Sequence, residues 1–144
     1  MLYTTIIAAF ASFVLPVLAV PQAPGHPVTI TATWSAAYDN PALSVNGLAC
    51  SDALIRKGIH TIGDLKNYPN VTGIQYASFG SPNCATCYKF TYQGKSVNVV
   101  AIDNAQHGAT LSTAALNALT NGHAHDVGSI QATVEQVPNS ACKL

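Results

Sequence analysis

Charge is what this chain has least of. Six acidic and six basic side chains among 144 residues amount to 8% and sum to zero. A balance of that kind gives no steering toward nucleic acid or an anionic membrane, so neither is expected as a partner. With so few ions, the surface has to be covered by Ser, Thr, Asn, Gln and Gly. Such a surface suits neutral polar partners, sugars among them, and its low self-repulsion permits self-association. Aromatic residues are also few, at 8%, with a single Trp. No G-x-S-x-G string is present, which removes the usual signature of a serine hydrolase. Internal repeats, low-complexity tracts and inter-domain linkers are missing too.

The one long apolar run stands at the start. "MLYTTIIAAFASFVLPVLA" has no charged side chain, and Val17 and Ala19 flank Leu18. Small residues at those places suit export-signal cleavage after Ala19, and no basic cluster follows to stop transfer through a membrane. Residues 1–19 are therefore expected to be a signal peptide and residues 20–144 a single exported domain without a membrane span. About 125 residues remain, enough to bury roughly two-thirds of the unfolded surface. All four cysteines, Cys50, Cys84, Cys87 and Cys142, follow the leader. An even count in a small exported domain reads as two disulfides, for which three connectivities exist.

Periodicity points to a mainly β domain. Val28, Ile30, Ala32 and Trp34 alternate with Thr29, Thr31, Thr33 and Ser35 as a half-buried strand. Tyr38-Asp39-Asn40-Pro41 reads as a loop. Residues 42–64 look irregular, and a short helix stopped by Pro69 is expected around "HTIGDLKNYP". Two β-branched and aromatic segments, Cys87–Tyr92 and Ser96–Ile102, flank Gly94 as a hairpin. "LSTAALNALTNGH" is a helix with Ser112 as its cap and Asn121-Gly122 as its stop. Ile130, Ala132 and Val134 mark a last alternating strand. Short strands scattered between long loops suit a small closed barrel.

Candidate chemistry is sparse. Cys84 and Cys87 form a CxxC, but a hairpin follows them where a redox pair needs a helix N-terminus to lower the thiolate pKa. A structural role, each cysteine bridging to a distant partner, is the better reading. His123 and His125 lack a third ligand, so no metal or cofactor is expected. Asp103 ends the apolar string "VNVVAI". Glycosidases need two carboxylates roughly 5–9.5 Å apart, and no other acid sits in a context that marks it as the second. Asp39 is the best placed, so a hydrolase using Asp103 with Asp39 is the alternative reading. Trp34 falls on the apolar face and is expected in the core, whereas Tyr38 and Phe79 are expected to expose their rings. Asn70-Val71-Thr72 is an N-glycosylation acceptor.

The strings "AAYDNP", "LACSD", "SPNCATCYKFTYQGKSVNVVAIDNA", "LSTAALNALTNGHA" and "SIQATVEQVPNSACKL" resemble the cerato-platanins, small secreted fungal proteins, from about Val28 to Leu144. The resemblance implies a six-stranded double-psi β-barrel related to expansins, with bridges Cys50–Cys84 and Cys87–Cys142. It implies a protein of the extracellular space or fungal wall that binds chitin-type N-acetylglucosamine oligomers without cleaving them. It also implies non-hydrolytic loosening of polysaccharide, self-assembly at interfaces, and elicitor or toxin activity toward plants through a receptor; a purely structural, hydrophobin-like film former, which the near-zero net charge permits, is a further alternative reading. Matched by position, the sugar groove would be lined by Tyr38, Asp39, Asn40, Ser81, Pro82, Asn83, Asp103 and Asn104. The chain departs from the family at Phe79 and Tyr88, where Trp is frequent, and at Asn104, where His is common. Smaller rings at the first two positions imply weaker stacking on sugar.

Overall fold

The computed structural model describes residues 25–144, so the expected signal peptide at 1–19 lies outside the described residues. Six strands close into a barrel: β1 (Val28–Ser35), β2 (Val71–Ile74), β3 (Cys87–Tyr92), β4 (Lys95–Asp103), β5 (Ala109–Ser112) and β6 (Ile130–Val137). Around the ring their order is β1-β5-β2-β4-β3-β6, and β6 returns to β1. The pairs β1/β5 and β2/β4 are parallel and the other four are antiparallel. This is the closed barrel that the residue patterns anticipate, in the six-stranded double-psi form that the family resemblance implies.

Strands β1 and β6 keep the expected alternation. In β6, Ile130, Ala132 and Val134 are buried while Gln131 and Gln136 are exposed. The β3–β4 hairpin turns at Gln93 and Gly94, both at positive φ (47° and 77°), the backbone that a tight hairpin with right-twisted strands needs. Strand β4 is different: Val99, Val100, Ala101 and Ile102 are all fully buried. One face looks into the barrel, and the other is covered by helix α2 (Thr113–Thr120), which packs on β4. A strand buried on both faces reads as a continuous apolar run.

Helix α2 begins and ends as its sequence dictates. The Ser112 hydroxyl accepts from the Ala115 N–H at 3.1 Å and donates to the Pro69 carbonyl at 2.6 Å. Asn121 ends the helix in the left-handed region. Leu116 and Leu119 are buried beneath it. Residues 42–64 are more ordered than their composition suggests. They hold helix α1 (Ser51–Arg56) and 3-10 turns at Val45–Gly47 and Ile62–Asp64. The second of these stands where a short helix before Pro69 was expected. A further short helix, α3, spans Ala124–Val127.

Both expected disulfides are formed, Cys50–Cys84 and Cys87–Cys142. The first ties α1 to the loop before β3, and the second ties the C-terminal turn to β3. Each stabilises by about 2–4 kcal/mol through restriction of the unfolded chain. No helix among the described residues is long and apolar enough to cross a membrane, and no cluster of three or more metal-ligating side chains occurs among them.

Candidate functional site

The C-terminal end of β4 delivers Asp103 to the barrel rim. Its carboxylate is held from three directions. Oδ2 accepts from the Tyr38 hydroxyl at 3.1 Å, and Oδ1 accepts the N–H groups of Ala49 (2.8 Å) and Asn104 (2.9 Å). Such charge-assisted bonds are stronger than neutral ones and fix the group's orientation. Asp103 remains half-buried, so a ligand hydroxyl can still reach its free lone pairs.

Tyr38 does not expose its ring, contrary to the expectation from its loop-like sequence. Residues Ala36–Asp39 form a 3-10 turn that folds the side chain inward to 8% exposure. Burial, followed by the charge and hydrogen bond of Asp103, drives the phenol pKa well above its usual value. The hydroxyl keeps its proton and donates it to Asp103. Gly73 makes room for the pair: a Cβ there would stand 2.9 Å from the Tyr38 hydroxyl and 3.5 Å from the Asn104 carbonyl oxygen. The β-bulge between Thr72 and Gly73 coincides with this crowded point.

Asp39, next in the chain to Tyr38, is engaged by other elements. Its Oδ1 accepts the Thr113 N–H at 2.9 Å at the start of α2, and its carbonyl accepts from the Tyr68 hydroxyl at 2.5 Å. A carboxylate there complements the positive end of the helix. Asn40 closes its own loop through the Ala42 N–H at 3.0 Å. Ser81 and Asn83 are both 8% exposed. The Ser81 hydroxyl and the Asn83 side-chain amide donate to the Tyr76 carbonyl at 3.1 and 3.0 Å. Pro82 and Asn104 are exposed.

Two of these groups meet across the Ala49–Cys50 segment. Ala49 bonds Asp103, and the Cys50 N–H donates to the Ile102 carbonyl at 3.3 Å. Ala49 also lines a cleft of about 200 Å³ with Asp52, Ala53, Arg56, Gly80, Ser81 and the Cys50–Cys84 bridge. Phe79, next to Gly80, is 69% exposed. Tyr38, Asp103 and Asn104 thus form one cluster and Ser81–Asn83 a second beside it, while Asp39 and Asn40 serve α2 and their own loop. Asp52 and Arg56 are the cleft residues that sequence reasoning missed. Their opposite charges four positions apart are an ordinary helix signal, hidden in a region read as irregular.

Other candidates resolve as structural. Tyr88 is fully buried, so its ring has no part in stacking on a ligand. Burial pushes its pKa up to about 12, and its hydroxyl has no hydrogen-bond partner among the described residues. The nearby Thr86 hydroxyl is already engaged by the Asn83 carbonyl and Gln136. Trp34 is half-buried against the core, and the His125 ring sits over it at 4.1 Å. His123 pairs with Asp126 at 3.0 Å. Asn70 is half-buried at the entry to β2, and its carbonyl accepts the Val100 N–H at 3.1 Å.

The family model described as Cerato-platanin matches residues 30–144. The chain belongs to the cerato-platanin family. A "Heat-stable 19 kDa antigen" of Coccidioides posadasii is 38% identical to this cerato-platanin over 131 residues, covering 87% of the chain and 90% of the relative. The crystal structure of cerato-platanin 3 from M. perniciosa superimposes with a TM-score of 0.77 at 32% identity, covering 81% of the chain and all of that protein (100%). A Clavibacter michiganensis expansin, solved in complex with cellohexaose, shares the fold at 17% identity and a TM-score of 0.56, covering 78% of the chain and 50% of the expansin.

Proposed function

We propose that this cerato-platanin is an exported, non-catalytic protein of the fungal wall that binds N-acetylglucosamine oligomers at the rim around Asp103. The observation that carries this reading is the carboxylate held by Tyr38, Ala49 and Asn104, next to a cleft flanked by an exposed phenyl ring. A fixed acceptor grips sugar hydroxyls, and an exposed ring offers an apolar face to a pyranose. Cleavage needs a general acid and a base or nucleophile on the two sides of the scissile bond. Asp39, the partner named in the alternative hydrolase reading, has one carboxylate oxygen engaged at the start of α2, which favours a structural role for it. The same reading takes in non-hydrolytic loosening of wall polysaccharide, which accords with the expansin-like barrel, and elicitor activity toward plants. Two disulfides suit the oxidising space outside the cell.

The test is a titration of the 15N-labelled protein with chitotetraose. Amide shifts are expected at Phe79, Ser81, Asn83, Asp103 and Asn104. Shifts confined to other faces of the barrel would refute the site. Release of new reducing ends from chitin by the wild type, lost in Asp103→Asn, would establish the hydrolase in its place.

A further inference from the structure

The zero net charge conceals an uneven distribution. Of the six basic side chains, Arg56, Lys57, Lys66 and Lys143 border two adjoining grooves that share Lys57. The groove nearer the cleft has a volume of about 360 Å³, and Arg56, Lys57, Ser81, Pro82, Thr86 and Asn139 line it. No carboxylate is among its lining residues. Arg56 and Lys57 are exposed, and neither enters an ion pair among the described residues, where the pairs are Lys89–Glu135 and His123–Asp126. Asp52, one turn before Arg56 on α1, faces the cleft and not this groove. Asp64, in the farther groove, already accepts the N–H groups of His60 and Thr61 at 2.9 Å each.

We infer that this groove is a second carbohydrate site, specific for a polysaccharide that carries carboxylates, a polyuronate. The chemistry of its walls favours that class. One wall supplies a guanidinium and an ammonium, which bind a carboxylate by charge-assisted hydrogen bonds. The rest of the lining supplies polar groups suited to sugar hydroxyls, among them the Asn139 amide N–H₂, the Oδ1 of that side chain being occupied by the Cys87 N–H at 3.2 Å. The exposed Pro82 ring adds a small apolar face. A polyuronate repeats a carboxylate, hydroxyls and an apolar ring face along one chain. An inorganic anion would use only the first wall. The groove also shares Arg56, Ser81 and Cys84 with the cleft beside Asp103. The two sites therefore adjoin: the cleft is lined by Asp52 as well as Arg56, and the groove by Arg56 and Lys57 with no carboxylate. This second site is distinguished from the N-acetylglucosamine reading by Lys57, Thr86 and Asn139, which line the groove and not the cleft.

The full exported chain, 15N-labelled, tests this with tetragalacturonate, chitotetraose and inorganic phosphate in parallel titrations. Tetragalacturonate is expected to shift the amides of Arg56, Lys57, Thr86 and Asn139, with an affinity that weakens as salt is raised. The double variant R56Q/K57Q, altered only at exposed positions, should bind tetragalacturonate at least about ten-fold more weakly, and K57Q alone, at a position outside the cleft, should weaken it too and leave the chitotetraose titration unchanged. Unaltered tetragalacturonate affinity in R56Q/K57Q would overturn the inference. So would phosphate binding as tightly as tetragalacturonate on the same amides. Loss of chitotetraose binding alone would remove the neighbouring site and leave this one standing.

Discussion

Replacing Asp103 with Ala removes one acceptor from three donors at once. The Asn104 N–H lies on an exposed residue and can turn to water. The Ala49 N–H and the Tyr38 hydroxyl are more enclosed, and Tyr38 is only 8% exposed. Bonds to a charged acceptor contribute about 1.5–3 kcal/mol each. Taking the low end for the two enclosed donors gives a destabilisation of about 3 kcal/mol, or about 10 °C in Tm for a domain of this size. Thermal unfolding followed by circular dichroism measures it. Tyr38→Phe alone should cost about 1 kcal/mol. In the Asp103→Ala background the sign reverses, because the phenylalanine removes a buried hydroxyl that the first change left without a partner. The double variant should therefore be about 1 kcal/mol more stable than Asp103→Ala. Equal destabilisation by Tyr38→Phe in both backgrounds would show that the two groups are not coupled. An unchanged Tm in Asp103→Ala would refute the claim that the carboxylate organises the rim.

Phe79→Ala should leave Tm within about 1–2 °C, since the ring is exposed, yet weaken chitotetraose binding about five-fold by calorimetry, in line with the worth of an aromatic face; unchanged affinity would remove Phe79 from the site. Ser112→Ala takes away both the cap of α2 and the donor to Pro69, and urea denaturation should register about 2 kcal/mol of lost stability. Asp64 has its pKa lowered from the ordinary 3.8, chiefly by the backbone N–H groups of Thr61 and His60. Its contribution is thus present above pH 3.8 and lost as pH falls through the depressed folded value. Urea midpoints followed downward from about pH 5 should fall less steeply in Asp64→Asn than in the wild type, and parallel acid limbs would contradict this.

How much was legible follows from which neighbours decide each segment. Strands β1 and β6 show in the sequence because one face meets the core and the other meets water, which writes a two-residue period. Helix α2 shows because Ser112 and Asn121 carry its ends locally. Strands β2 and β5 do not show. Each is four residues long, and Val71, Thr72, Gly73 and Ile74 are all buried, so no alternation survives and Gly73 reads as a break. The glycine is set by the Tyr38 hydroxyl above it, a residue 35 positions away in the chain. Asp103 stood out because it closes an apolar strand. Its donors did not, since Ala49 and Tyr38 come from turns whose placement depends on the finished barrel. Tyr38 was read as a surface ring for the same reason: its tetrapeptide has loop composition, and only the 3-10 turn aims it inward.

In the ring, the first strand pairs with the last, with Ala32 opposite Ile130. A nascent chain therefore cannot seal this fold until almost its whole length has emerged. Before then β1 and β3 both present bare backbone to any passing strand. Loss of the segment from Ile130 onward would also strip Cys87 of its partner, leaving a cylinder slit along its side. For such a molecule, completing the fold amounts to a check on the residues from Ile130 onward.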